Sequence, residues 1–220
     1  MSAIYPNQTL TPSEVVFLAA DQFLAKAPLP KNFVITFQTS LFPLVGSSDD
    51  GVSKQPLAEL ECMAAVLALE AAGTIRLEAR ATKALLGLRT LQSLFASPAA
   101  PAAGWPEASL EGAIQAMAFS LSPAGQNDIA NIIFRLFPSD QYDPFGCVCE
   151  WVRNGLARRG LLTANPFQWT QPARDAAAAQ FPEVKALLVA CQHGQAQTWD
   201  LLHTHVYQPL KRREAHINNI

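Results

Sequence analysis

Two segments of this chain place a glycine between a helix pattern and a strand pattern. Residues 66–73 end on Gly73 and run directly into an alternating segment, and residues 152–160 end on Gly160 before a short apolar segment. Glycine adopts a positive φ without a steric penalty, so it ends a helix and lets the following strand turn back. A helix that leads into a β-hairpin is typical of winged-helix units. The repeated junction therefore predicts a helical body that carries short hairpins.

Most of the remaining sequence has a helical pattern. Thr11 and Glu14 form a capping box around a helix start at Pro12. Residues 33–37 are β-branched and aromatic, which predicts a short strand, and residues 46–51 have the composition of a flexible surface loop. Apolar spacing, caps and prolines predict further helices at 56–72, 82–95, 110–121, 128–137, 143–159, 182–193 and 196–210.

We expect a single, mainly α-helical domain with short β-hairpins of winged-helix type over residues 1–211. Residues 97–106 are rich in proline and alanine, and we interpret them as a long surface loop because neither half of the chain has a self-contained pattern. Residues 161–163 and 167–169 are predicted to be two short strands around a turn. Residues 212–220 are predicted to be a flexible tail.

The low proportion of charged residues bears on partners. Charged residues make up 15% of the chain, against about 25% in a typical soluble domain. Either the surface is neutral and rich in alanine, or a copy of the chain or another protein covers part of it. The formal net charge of −2 gives no global electrostatic reason to expect nucleic acid.

The chain has no feature of secretion or of a bilayer span. Its first ten residues are polar and contain Pro6. No apolar run reaches the length of about 18 residues that crosses a bilayer. We therefore expect a cytoplasmic protein whose cysteines are free thiols; these are Cys62, Cys147, Cys149 and Cys191.

Three stretches of the chain, 13–20, 67–78 and 156–163, resemble the Golgi phosphoprotein 3 (GPP34) family. The resemblance implies a helical core with β-hairpins. It also implies an adaptor protein at a membrane surface, because eukaryotic members of that family bind a phosphoinositide headgroup. An anionic lipid headgroup is therefore a candidate ligand.

The residues that would grip a phosphate depart from that family. Aligned on the two glycines, the arginines of the family fall near Cys62, Cys149 and Trp151, none of which is basic. Arg153 is the nearest substitute. The resemblance therefore implies the fold more directly than the lipid site.

Basic residues form two local groups that are candidates for contact with an anion. Arg153, Arg158 and Arg159 lie near the C-terminus of a predicted helix, where positive charge interacts favourably with the helix dipole. These three arginines therefore have a simpler explanation as solvated residues. The predicted helix 56–72 would present Glu59, Glu61 and Glu70 and no basic residue to DNA, which argues against nucleic acid as a partner. The two groups are Arg153, Arg158 and Arg159, and Lys211, Arg212 and Arg213.

Aromatic residues are the candidates for a protein interface. Trp105 lies in the loop 97–106, where it either anchors a partner or packs down to pin the loop. Phe33, Phe37 and Phe42 lie in an apolar segment that is a second candidate surface.

No catalytic, metal or cofactor site is expected. His203 and His205, like Cys147 and Cys149, are two residues apart and so lie on different sides of a helix. The common catalytic and phosphate-binding motifs are absent. We expect a non-enzymatic interaction or adaptor protein that self-associates or joins a complex. A location at a membrane surface is one form of this expected function. The alternative is a winged-helix protein that binds nucleic acid.

Overall fold

The fold is mainly α-helical with short β-hairpins. The computed structural model describes residues 10–29, 40–45, 47, 49–84, 89–99, 104–137, 143–162 and 168–217. The helices in these ranges are α1 (Pro12–Leu18), α2 (Ala20–Phe23), α3 (Lys54–Ala71), α4 (Leu110–Leu121), α5 (Ile129–Leu136), α6 (Pro144–Arg158), α7 (Gln171–Gly194) and α8 (Ala196–Ile217). None of these helices combines the length and the apolar character that crossing a bilayer requires.

Helix α1 lies at the centre of the body. All of its residues are buried, and it packs against α3, α6 and α7. A helix that is apolar on most of its surface has to be enclosed in this way. The predicted capping box is present: the backbone N–H of Thr11 donates to Glu14 Oε2 over 2.8 Å.

Both predicted glycine junctions are present. Gly73 and Gly160 each have a φ of 70°, and each follows the helix that the sequence predicted, α3 and α6. After Gly160, the two predicted strands reduce to one antiparallel bridge between Leu162 and Trp169. The predicted turn between them lies outside the described residues.

A three-stranded antiparallel sheet packs at the start of α3. Its strands are β1 (Lys26–Pro28), β2 (Leu41–Pro43) and β3 (Asp50–Ser53), in the order β1-β3-β2. The prediction of a loop over 46–51 is wrong at its end, because Asp50 and Gly51 belong to β3. A Cβ at position 51 would lie 2.7 Å from the carbonyl oxygen of Phe42, so only glycine fits at this position of β3. The predicted strand 33–37 lies outside the described residues.

Strands β4 (Ile75–Ala84) and β5 (Arg89–Pro98) form a long antiparallel pair, which we call the ribbon. The predicted helix over 82–95 is therefore wrong at residues 82–84 and 89–95, which the structure describes. Leucines three residues apart imitated a helical period there, but these residues pair across the two strands, with Thr82 opposite Leu91 and Ala79 opposite Leu94. Ser97 and Pro98, predicted as loop, are the end of β5.

The last two helices are longer than the sequence predicted. Helix α7 begins at Gln171, where the Thr170 side chain caps it, and continues through Pro182. Val184, Leu188 and Cys191 pack into the core at helical spacing, which outweighs the helix-breaking tendency of the proline. Helix α8 extends to Ile217, so residues 212–217 are helical and the prediction of a flexible tail from residue 212 is wrong there.

Candidate functional site

The base of the ribbon is anchored in the body. Ile75, Leu94 and Ala96 are buried, and β5 packs against α4, α5 and α8. Thr74 precedes the ribbon and donates its hydroxyl to the carbonyl oxygen of Leu69 at 2.9 Å. These contacts fix the direction in which the ribbon leaves α3.

The distal half of the ribbon lacks such support. Residues 79–81 and 90–92 are exposed, and 52% of the Leu91 surface is accessible. Because neighbouring residues of a strand face opposite sides, exposure of consecutive residues means that both faces are open. A two-stranded ribbon without a covered face is only marginally stable in water. The distal half is therefore open to solvent on both faces.

The ribbon is basic, and leucines occupy its connection. It carries Arg76, Arg80, Lys83 and Arg89 against the single acid Glu78, and the four residues 85–88 include three leucines. The Arg80 guanidinium lies 4.7 Å from the centre of the Phe95 ring and donates to Ser97 Oγ at 2.9 Å. It also pairs with Glu78, so one basic side chain is fixed along the ribbon.

Two of the three arginines predicted as an anion site on α6 are engaged with carboxylates. Arg159 pairs with Glu14, whose side chain is 1% exposed, through Nη1 contacts of 2.6 and 2.7 Å. Arg153 pairs with Glu150 three residues earlier. Arg158 is exposed. The group does not converge on one anion-binding surface, because Arg159 serves the core.

The basic residues of α8 are also dispersed. Lys211 pairs with Glu214 at 2.6 Å. Arg213 covers the ring of Phe134, with its guanidinium carbon 3.9 Å from the ring centre, and donates to the Phe134 carbonyl oxygen. Arg212 is exposed. Arg213 thus fastens α8 to α5.

The aromatic residues predicted as interface anchors are in the core where the structure describes them. Trp105 is 8% exposed, which is the alternative in which it packs down and pins the loop. Phe42 is 3% exposed, and its ring meets that of Phe17 edge-on with centres 5.8 Å apart. Phe33 and Phe37 lie outside the described residues.

Two of the three positions that the resemblance aligns with phosphate-gripping arginines are buried, and the third is half-buried. Cys62 and Cys149 are fully buried, and burial raises the pKa of both thiols well above the usual value. Trp151 packs edge-on against Phe137 with ring centres 6.0 Å apart. A phosphate cannot reach Cys62 or Cys149 in this fold.

Acidic residues that were expected on an exposed helix face lie inside the protein instead. Glu61 is fully buried and Glu59 is 7% exposed. Burial raises the pKa of Glu61 well above its usual range, and neither of its carboxylate oxygens has a hydrogen-bond partner among the described residues. The sequence pattern placed these carboxylates on the surface because charge normally lies there.

Glu111 is the best-supported buried carboxylate. It accepts from the backbone N–H of Ser13 at 2.8 Å and from the Ser13 hydroxyl at 2.9 Å, so it caps the buried N-terminus of α1. Burial still raises the pKa of Glu111 to about 7, since the hydrogen bonds from Ser13 offset only part of the desolvation cost.

The two histidines of α8 that lie two residues apart contact different partners. His205 contacts the carbonyl oxygen of Leu201 through Nδ1 at 2.6 Å, and His203 contacts Glu59 on another helix. Within the described ranges, no three side chains of the metal-binding types are grouped. Sequence reasoning missed the Glu59–His203 contact, because no local pattern links residues 144 positions apart.

Comparisons with known proteins do not add a relative. No family model, no curated protein and no solved structure matches this chain.

Proposed function

We propose that this chain is a non-enzymatic interaction protein that docks through the ribbon onto an anionic membrane surface and serves there as an adaptor in the cytoplasm. Membership of the GPP34 family is part of the proposal. The observation that carries it is the distal half of the ribbon, which is exposed on both faces. Among the other candidate basic side chains, Arg159 and Arg213 are committed to contacts within the body, and Arg153 and Lys211 pair with carboxylates of their own helices. Arg158 and Arg212 are exposed.

The chemistry of the ribbon favours a lipid surface over other anionic partners. Four basic residues flank a connection that contains three leucines. A bilayer interface accepts both groups, because anionic headgroups attract the basic side chains and the acyl boundary accepts the leucines. A nucleic-acid backbone would use the charge and leave the leucines in water, so the winged-helix alternative explains less of the ribbon.

Self-association is the second candidate, and the open edge of β4 favours it. Among the described residues the ribbon has only two strands, so the outer edge of β4 has no strand partner. An unpaired edge can pair with the same edge of a second copy. Arg76, Arg80 and Lys83 on β4 would repel their counterparts in such a pair, which makes it the weaker candidate.

Vesicle flotation tests the membrane proposal. The wild type is compared with a variant in which Arg76, Lys83 and Arg89 are replaced by glutamine, on vesicles with and without anionic lipid. Each basic residue near an anionic surface contributes about 1 kcal/mol, so the variant should bind more than about 100-fold more weakly.

The matched control is a double replacement of Arg158 and Arg212 by glutamine, which removes exposed charge outside the ribbon and should leave flotation unchanged. Equal binding of the wild type to neutral and anionic vesicles contradicts the proposal. Light scattering of the protein without vesicles tests the second candidate function. A monomer at high concentration would contradict self-association. A salt-sensitive shift of labelled DNA would instead support the nucleic-acid alternative.

A further inference from the structure

A cleft opens between the first turns of α3 and the facing sides of α7 and α8. It encloses about 360 Å³, which is within the size range of small-molecule sites. Its walls are mostly apolar, and they include Phe23, Leu60, Met63, Leu188 and Trp199. The cleft lies on the body and contains no residue of the ribbon.

One buried carboxylate lines this cleft. The side chain of Glu59 is 10% exposed, and its Oε2 lies 2.9 Å from His203 Nε2. The other oxygen, Oε1, is buried and accepts no hydrogen bond from the described residues. A buried acceptor without a donor costs free energy, so a native structure usually provides one.

His203 fixes the direction of that carboxylate. Its ring stacks parallel to the ring of Tyr207 one helical turn later, with centres 6.3 Å apart and an interplanar angle of 3°. With its proton on Nε2, the ring donates to Glu59 Oε2. Oε1 is left without a donor among the described residues, and because this atom is buried, a ligand reaches it only when the Glu59 side chain turns towards the cleft.

We propose that the cleft binds a protonated primary amine that carries an apolar body. A carboxylate oxygen makes its strongest hydrogen bond with a charged donor. The aromatic rings of Phe23 and Trp199 provide apolar surface for the body of such a ligand. Lys185 also lines the cleft, but its side chain is exposed and its ammonium lies 5.7 Å from the centre of the Phe181 ring. Its charge is therefore hydrated, whereas the charge of Glu59 is buried.

Calorimetric titration with 2-phenylethylamine tests the proposal, and 2-phenylethanol and 3-phenylpropionate serve as neutral and anionic probes. The amine should bind, and both other probes should bind at least tenfold more weakly. Glu59→Gln should weaken amine binding at least tenfold. Glu183→Gln, which removes an exposed charge from α7 outside the cleft, should leave it unchanged.

A second variant keeps the test decisive if Glu59→Gln folds poorly. Leu60→Phe narrows the cleft at a half-buried wall position while Glu59 is retained, and it should also abolish amine binding. The indole N–H signal of Trp199 should shift with the amine in the wild type and not in this variant. Equal affinity for the alcohol, stronger binding of the carboxylate, or undiminished binding by Glu59→Gln would overturn the proposal.

Discussion

The centre of this protein and its ribbon reverse the usual distribution of side chains. Around α1, the carboxylates of Glu14, Glu61 and Glu111 are buried. On the ribbon, Leu91 is exposed and three further leucines lie in its connection. Buried charge costs stability unless it is paired or protonated, and an exposed apolar side chain such as Leu91 costs solubility unless it docks. Glu14 and Glu111 have partners inside the body, whereas residues 79–81 and 90–92 of the ribbon are exposed.

Breaking the pair between Arg159 and Glu14 should have the largest effect on stability. Arg159→Ala leaves the Glu14 carboxylate without its cation in the core, which should lower the free energy of unfolding by about 3–5 kcal/mol. Arg158→Ala removes the neighbouring exposed arginine and should change it by less than about 0.5 kcal/mol. Chemical denaturation at neutral pH measures both.

The same pair also predicts a pH dependence. Burial raises the pKa of Glu14, and the charge of Arg159 opposes this rise. Without Arg159 the pKa of Glu14 should rise further, and protonation would then relieve the buried charge. The loss of unfolding free energy in Arg159→Ala should therefore be smaller at pH 5 than at pH 8. A loss that does not depend on pH would refute this explanation.

Glu111 should make the protein less stable as the pH rises. Its pKa is about 7 in the fold against an ordinary value of 4.5, so the folded state binds its proton more tightly than the unfolded state. Stability contributed by this proton is complete below pH 4.5 and is lost as the pH rises through about 7. The shift corresponds to roughly 3 kcal/mol.

Glu111→Gln checks this directly, because glutamine cannot ionise. Its unfolding free energy should vary less between pH 4.5 and 8 than that of the wild type. Glu14 and Glu61 shift in the same direction, so some dependence should remain. Glu107→Gln, an exposed replacement nearby in the sequence, should keep the wild-type slope, and identical slopes for all three proteins would disprove the assignment to Glu111.

The junction between the centre and the ribbon should give the smallest effect. Gly73 has a φ of 70°, and a Cβ there would meet no atom within 4 Å. Gly73→Ala should therefore cost only the backbone strain of a left-handed residue, about 1–2 kcal/mol. Gly104→Ala also adds a Cβ in open space, without a positive φ. Gly104→Ala should leave the stability measured by thermal unfolding unchanged. Equal losses of stability in the two variants would show that backbone strain is not the cause.

The helix boundaries were largely predictable because their signals are local. Asp128 and Asp143 cap α5 and α6 through their own side chains, and each capping residue lies next to the helix it serves. The ribbon was not predictable in the same way, since the spacing of its leucines also fits a helix. Strand pairing decided between the two, and pairing depends on contacts that a short sequence window does not contain.

The buried acidic residues were hidden for a related reason. Glu61 and Glu111 occur in ordinary helical segments, and charged residues of such segments are assigned to the exposed face because most charged residues are exposed. Their partners are distant: Ser13 lies 98 residues from Glu111, and Glu59 lies 144 residues from His203. The candidate sites therefore came from the structure. The sequence contains the basic residues of the ribbon but does not show that they lie on two paired strands.

Amide hydrogen exchange with and without anionic vesicles tests the contrast between the two regions most directly. In solution, amides of residues 79–81 and 90–92 should exchange quickly, since both faces of the ribbon are open there, and those of α3 slowly, since most of that helix is buried. Vesicles should slow exchange in the ribbon and leave α3 unchanged. Unchanged exchange in the ribbon, with protection appearing elsewhere on the body, would contradict the assignment of the ribbon as the docking element.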